Sequence, residues 1–203
     1  HPLPGQKERA EGSVWTRYTL CSVDGPSRAL RKNDGNMITR TVSGSTYTLG
    51  YDYENRLTSV SGAATATFTY DGDGNRVKSV VGSTTTYFVG SHYETSGGVI
   101  TRYYLAGGTR VAMRTGSASF YWLLSDHLGS TSKVATSTGA LHSQQLYKAW
   151  GESRYTSGTL PTRYTYTGQY SYANDFGLVF YNARWYDPYI TQFTQPDPII
   201  PDP

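Results

Sequence analysis

The run Ser125-Asp126-His127-Leu128-Gly129-Ser130 brings a carboxylate, an imidazole and two hydroxyls together in the chain. Those are the groups of a nucleophile–base relay, in which a histidine takes a proton from serine while a carboxylate orients the ring. The spacing argues against that use. Adjacent residues on one strand point to opposite faces, so Asp126 and His127 do not converge on one serine from a strand. The run follows an apolar stretch ending at Leu124 and passes into Gly129-Ser130, which reads as a turn capped by Asp126. Metal chemistry has less support. His1, His92, His127 and His142 show no ligand spacing and Cys21 stands alone, so no metal or other cofactor is expected. Gly72-Asp73-Gly74-Asn75 precedes no helical pattern and is read as a hairpin turn, not a phosphate loop.

The elements around these groups follow from a repeat. Tyr51-Asp52 is followed by Asn55-Arg56-Leu57, Tyr70-Asp71 by Gly74-Asn75-Arg76, and a worn copy stands upstream at Asp34-Gly35-Asn36-Met37. Aligned on Asn36, Asn55 and Asn75, the copies are 19 and then 20 residues apart. A fixed period of this size marks a unit that cannot bury its apolar face without neighbours. Ala64, Ala66, Phe68 and Tyr70 alternate with Thr65, Thr67, Thr69 and Asp71, which is the period of a half-buried strand. Tyr47, Leu49 and Tyr51 alternate likewise with Thr48, Gly50 and Asp52. Gly and Asn after each strand supply the turn, and the arginine that follows can cover a tyrosine ring or pair with the aspartate. Strand-like runs continue at 84–90, 99–107, 110–114 and 118–124, separated by Gly-Ser and Gly-Gly pairs.

Composition agrees with sheet. The 203 residues include 19 tyrosines against 6 phenylalanines, with 22 glycines. Charged residues are 16% and the net charge is +3, with the basic side chains scattered (Arg40, Arg102, Arg114, Arg163), so no nucleic acid partner is expected. No apolar run is long enough for a membrane-spanning helix. The chain opens on His1 and has no signal-peptide pattern, which suggests a segment of something longer.

The doubled Tyr-Asp phrase resembles the YD repeats of the Rhs family, which includes bacterial Rhs and wall-associated proteins, the C components of Tc toxins and the teneurins. Downstream, Asp126-His127-Leu128-Gly129-Ser130, the YKAWGE phrase at 147–152, the YTGQ phrase at 166–169, and Gly177-Leu178, Tyr181, Arg184, Tyr186, Asp187 and Pro188 come in the order of the Rhs repeat-associated core. The resemblance spans roughly residues 33–200. It implies an all-β fold with almost no helix: an antiparallel meander of hairpins winding into a ribbon or partial shell. The expected divisions are an irregular arm at 1–32 with a possible strand near Val14–Leu20, YD-repeat hairpins at 33–120, and the core with a Pro-rich tail at 121–203.

The resemblance also implies a candidate chemistry. Rhs cores often cut themselves just downstream, with two aspartates as acid and base, and close carboxylates can share a proton in that way. Candidates here are Asp187 and Asp197, with Asp175 and Asp202 behind them. Two features depart from the self-cleaving members: Ser171-Tyr172 replaces an Arg-Asp pair, and Asp197-Pro198 is followed by Ile199-Ile200 with no glycine. The expected function is a non-enzymatic, secreted or surface-displayed bacterial scaffold. Its partners would be other copies, joined into a fibre through open strand edges, or the rest of a longer shell. The alternatives are a self-cleaving shell around a toxin, and a glycan-binding surface using Trp122, Trp150 and Trp185, although burial is the expected place for those rings.

Overall fold

The computed structural model describes residues 19–22 and 28–197. Fifteen strands, from Thr19–Ser22 to Ser153–Ser157, follow one another in chain order in a single antiparallel sheet. Each strand pairs with the next, as expected of an antiparallel hairpin ribbon. The only helical feature among the described residues is the 3-10 turn Tyr166–Gly168. Of the expected first strand, only Thr19 and Leu20 fall within the described residues. Trp15 and Asp202 lie outside them.

One rim of the ribbon reuses a single five-residue turn. In residues 32–36, 52–56, 71–75, 126–130 and 148–152, the first amide donates to the fifth carbonyl at 2.7–3.0 Å. The fourth residue (Gly35, Asn55, Gly74, Gly129, Gly151) has positive φ, and the strand register slips by one beside each turn. Closing a tight turn with a left-handed residue and a bulge requires that backbone, which Gly and Asn adopt most easily.

This geometry corrects the frame read from the asparagines. Gly74, not Asn75, occupies the left-handed place that Asn55 fills one copy earlier. The residues that enter the next strand pointing inward are therefore Met37, Leu57 and Arg76, spaced by 20 and then 19. The rim is tied together by side chains as well. Tyr51 donates to the carbonyl of Met37, Tyr70 to that of Leu57 and Tyr147 to that of Thr131, at 2.8–2.9 Å. Asn36 Nδ2 donates to Asn55 Oδ1 at 2.8 Å, joining successive turns.

After Ser157 the chain leaves the ribbon and folds against its concave face as a plug. This second antiparallel sheet contains Tyr170–Tyr172, Leu178–Tyr181, Arg184–Asp187 and Gln192–Phe193. Alternation decides which ribbon residues meet it: Ala66 and Phe68 are buried, whereas Thr67 and Thr69 face solvent. Met37, Leu57, Val60 and Phe68 of the ribbon form one apolar cluster with Tyr172, Phe176, Phe180 and Trp185 of the plug. A smaller cluster of Tyr103, Met113, Leu123 and Val134 takes Leu160 and Tyr164 against it.

The strand Leu141–Tyr147 ends where residues 148–152 make the rim turn. Within 163–169, Tyr164 bridges to Tyr170, and Thr167 turns with φ 49°. One boundary differs from the sequence reading. Residue 120 lies inside the strand Ser119–Ser125, and the ribbon runs unbroken through it to Ser157.

Candidate functional site

The group that most resembles a relay is a rim turn. Asp126 Oδ1 accepts the amides of Leu128 and Ser130, both at 2.9 Å. Asp52 does the same for Glu54 and Arg56, and Asp71 for Asp73 and Asn75, at 2.8–3.0 Å. These aspartates serve as backbone acceptors. Burial works to raise the Asp52 carboxyl, but the hydrogen bonds from Arg56 outweigh it and hold it below the usual range. At Asp71 the hydrogen bonds from Asn75 have the same lowering effect. His127 and Ser125 are exposed. Ser130 is buried, and its hydroxyl accepts the Thr167 amide at 3.0 Å, while Thr131 donates its hydroxyl to the Tyr164 carbonyl at 2.8 Å. The phrase 126–131 is thus a clasp between ribbon and plug.

The candidate aspartates are placed on separate arginines. Asp187, fully buried, meets Arg40 through two hydrogen bonds: one from Nε to Oδ2, and one from Nη2 to Oδ1 at 3.1 Å. Arg40 also donates to the carbonyls of Phe176 at 2.9 Å and Gly177 at 3.4 Å. Gly177 has φ +80°, and a Cβ there would stand 2.6 Å from Arg40 Nη2. This is why glycine opens the Gly177-Leu178 phrase. Asp175 pairs with Arg163 of the plug. Asp197 pairs with Arg184 at 3.2 Å, and Arg184 lies over Phe193 at 4.1 Å. Tyr181 shares a 2.6 Å hydrogen bond with Thr167, and Tyr186 donates to the Trp150 carbonyl at 3.1 Å. Leu178 and Pro188 are buried beside them. Of the core-phrase residues, Ser130, Gly177, Tyr186 and Asp187 therefore fasten the plug to the ribbon, Tyr181 and Arg184 bond within the plug, and His127 and Leu128 are exposed.

Sequence reasoning did not find the inner arginine box. Arg56 pairs with Asp52 at 2.7 Å and lies over Tyr70 at 5.3 Å, so both expected roles are filled together. Arg76 does neither for its own turn, where Asn75 takes the aspartate instead. Its guanidinium sits over Phe88 and Phe180, each at 4.2 Å, and over Tyr170 at 4.5 Å. The box borders a cavity of about 940 Å³ between ribbon and plug. Arg110 also lines it and lies over Tyr164 at 3.3 Å. Near both arginines is Glu94, whose carboxyl is pushed up by burial despite a 3.1 Å hydrogen bond from Tyr103. The only sequence signal for this box was the one-residue shift between the two phrases.

The tryptophans divide. Trp185 is buried at the center of the plug, but Trp122 and Trp150 are exposed, correcting the expectation that all three would be core. Trp122 packs edge-on to Phe120 at 5.1 Å, and Phe120 lies 6.0 Å from Tyr104, forming an aromatic strip on the outer face.

An all-β ribbon closed from within by a small sheet has known counterparts. The chain superposes on the crystal structure of TcdB2-TccC3-Cdc42 with a TM-score of 0.61 and 14% identity, covering 89% of this chain and 12% of that one. For the crystal structure of TcdB2-TccC3 the values are 0.62 and 13%, over 85% and 12%. The Photorhabdus luminescens Tc holotoxin pore gives 0.59 and 15%, over 81% and 9%. The fold is accordingly the all-β fold shared with a part of each of these structures. In sequence, the chain is 31% identical over 210 residues to the tRNA nuclease WapA of Bacillus subtilis strain 168, which is 96% of this chain and 9% of that protein. It is equally identical, over the same coverage, to the tRNA3(Ser)-specific nuclease WapA of Bacillus spizizenii. The chain thus spans about a tenth of these relatives. No family model matches it.

Proposed function

We propose that this chain is a load-carrying wall segment of a larger Rhs-type shell, borne by a secreted or surface-displayed bacterial protein, and that the segment itself is a scaffold. The observation that supports this most is the use made of the core-phrase residues. Asp187 is consumed by Arg40, Ser130 and Thr131 clasp the plug, and Tyr181, Arg184 and Tyr186 hold neighbouring groups. The short span of the relatives that the chain matches favours one partner over another. The ribbon's outer strands are continued by further strands of the same long protein, rather than by separate copies in a fibre. The nuclease activity in the relatives' names is not part of the proposal.

A version of the chain carrying its natural continuation past Pro203 tests this reading on a denaturing gel. A scaffold stays intact, or is cut identically when Asp197→Asn and Asp187→Asn are introduced. Self-cleavage abolished by Asp197→Asn in a protein that still melts like the parent would replace the scaffold reading with the self-cleaving one. Size exclusion over a wide concentration range separates the partners: growing polymers would restore the fibre.

A further inference from the structure

The outer face of the ribbon changes character along the chain. Over the early hairpins the outward residues that stand opposite one another are small hydroxyls: Thr39 and Thr48, Thr48 and Ser61, Ser59 and Thr67. Further on they become large. Tyr103, Met113, Leu123 and Val134 turn inward to the plug, so alternation sends their neighbours outward. Arg102 stands opposite Arg114, and Arg114 opposite Phe120. In the next row Tyr104 and Trp122 flank Ala112, and in the row beyond Lys133 faces Leu124. Arg102, Tyr104, Arg114, Trp122 and Lys133 are all exposed. The cations are scattered in sequence, and pairing of the strands gathers them.

Packing does not account for this arrangement. Like charges directly opposite on neighbouring strands repel, and nothing on this face answers them. Between Arg76 and Glu152 the acidic residues are Glu94, buried on the inner face, and Asp126, whose carboxylate accepts two amides of its rim turn. Arg102 and Lys133 have no hydrogen-bond or ion-pair partner among the described residues. Arg114 gives one nitrogen to the Ser117 carbonyl at 2.6 Å. The rings beside them are held in place, with Phe120 edge-on to Trp122 and tilted against Tyr104.

The chemistry narrows the partner. None of these side chains lines either cavity of the molecule, and an open sheet face lacks the concavity that a small ligand needs. Three cations are few for a phosphate backbone, whose binding grows with each charge neutralised. Trp, Tyr and Arg are the residue types that carry most of the binding energy where proteins meet. We propose that this outer face, centred on Arg102, Arg114 and Trp122, docks a protein segment rich in carboxylates. Its acids lie against the paired guanidiniums, which favour two-pronged contact with carboxylate, and its apolar side chains lie on Trp122 and Tyr104.

The probe is a fluorescein-labelled short peptide of glutamate and phenylalanine, with a glutamine-for-glutamate peptide as control, titrated with the whole chain and read by anisotropy. Saturable binding of the acidic peptide is expected, weakening as salt rises, and the control should bind at least tenfold more weakly. Trp122→Ala is expected to lower affinity about tenfold or more with the circular dichroism spectrum unchanged. Arg102→Glu is the sharper test. It sets an acid opposite Arg114, so the melting temperature should hold or rise while peptide binding is lost. Equal binding of the two peptides, affinity unchanged in Trp122→Ala or Arg102→Glu, or no saturation at millimolar peptide would each overturn the proposal. So would tighter binding to a thymidine oligonucleotide, to polygalacturonate or to phosphatidylglycerol vesicles.

Discussion

Leu57 and Arg76 stand at one point of one repeated turn, and they could hardly differ more as side chains. The backbone treats them alike. Each stands two residues after a left-handed one (Asn55 and Gly74), each opens a strand (Leu57–Gly62 and Arg76–Val81), and each packs against the plug. Leu57 joins the apolar cluster outright, whereas Arg76 is admitted only within a shell of rings drawn from ribbon and plug alike. The turn therefore fixes direction and leaves chemistry free. Arg40 supplies the third case, a buried arginine that does have an acid, in Asp187.

The sharpest contrast is between a buried arginine with its partner and one without. Asp187→Asn strands the Arg40 charge in the core and should cost about 3–5 kcal/mol by urea denaturation. A loss below about 1 kcal/mol would mean that the pair does not anchor the plug. Leu57→Ala should cost about 2–5 kcal/mol through the lost contacts and the cavity left behind. Arg76→Met at the matching point should cost little or even stabilise, since a well-packed apolar side chain often replaces a buried charge without loss. Equal costs at the two points would erase the distinction between them.

Tyr70 links the two copies, and its titration is the next effect in size. Burial pushes its hydroxyl from about 10 up to about 12. The neutral form is favoured in the fold, so its contribution is intact at any pH below about 10 and is lost as pH climbs through about 12. Linkage puts that loss at about 2–3 kcal/mol. Urea melts between pH 9 and 12 should show the decline, and Tyr70→Phe should flatten part of it while costing about 1 kcal/mol at neutral pH for the bond to the Leu57 carbonyl. A pH profile unaltered by Tyr70→Phe would remove Tyr70 as its source. Smallest of all is Arg56→Ala, whose solvated pair with Asp52 should leave the melting temperature within measurement scatter. A clear drop there would make the rim arginine as structural as the inner ones.

Much of the ribbon was legible because alternation and turn chemistry are local. Thr67 and Thr69 against Ala66 and Phe68 name the two faces of a strand without reference to any other part of the chain. Asp126 could be read as a cap from its neighbours alone, and its hydrogen bonds have that form. The asparagine frame failed at Asn75 because Asn and Gly both tolerate positive φ, so composition does not say which of them takes the left-handed place. Trp122 lies in the more apolar stretch, Phe120 to Leu124, yet is half exposed, whereas Trp185, with Arg184 before it and Asp187 two residues on, is sealed.

Alternating tyrosine and threonine, with glycine and asparagine at the folds, was sufficient by itself to determine an antiparallel ribbon, since each hairpin is set by residues within reach of one turn. Where residues 158–197 would go lay beyond that reach. Arg40 finds Asp187 147 positions away, and Arg76 finds Tyr170 and Phe180 only because the plug enters the concave face. Contacts of that separation are selected by shape, burial and charge across the whole molecule, and only the tertiary structure decides them.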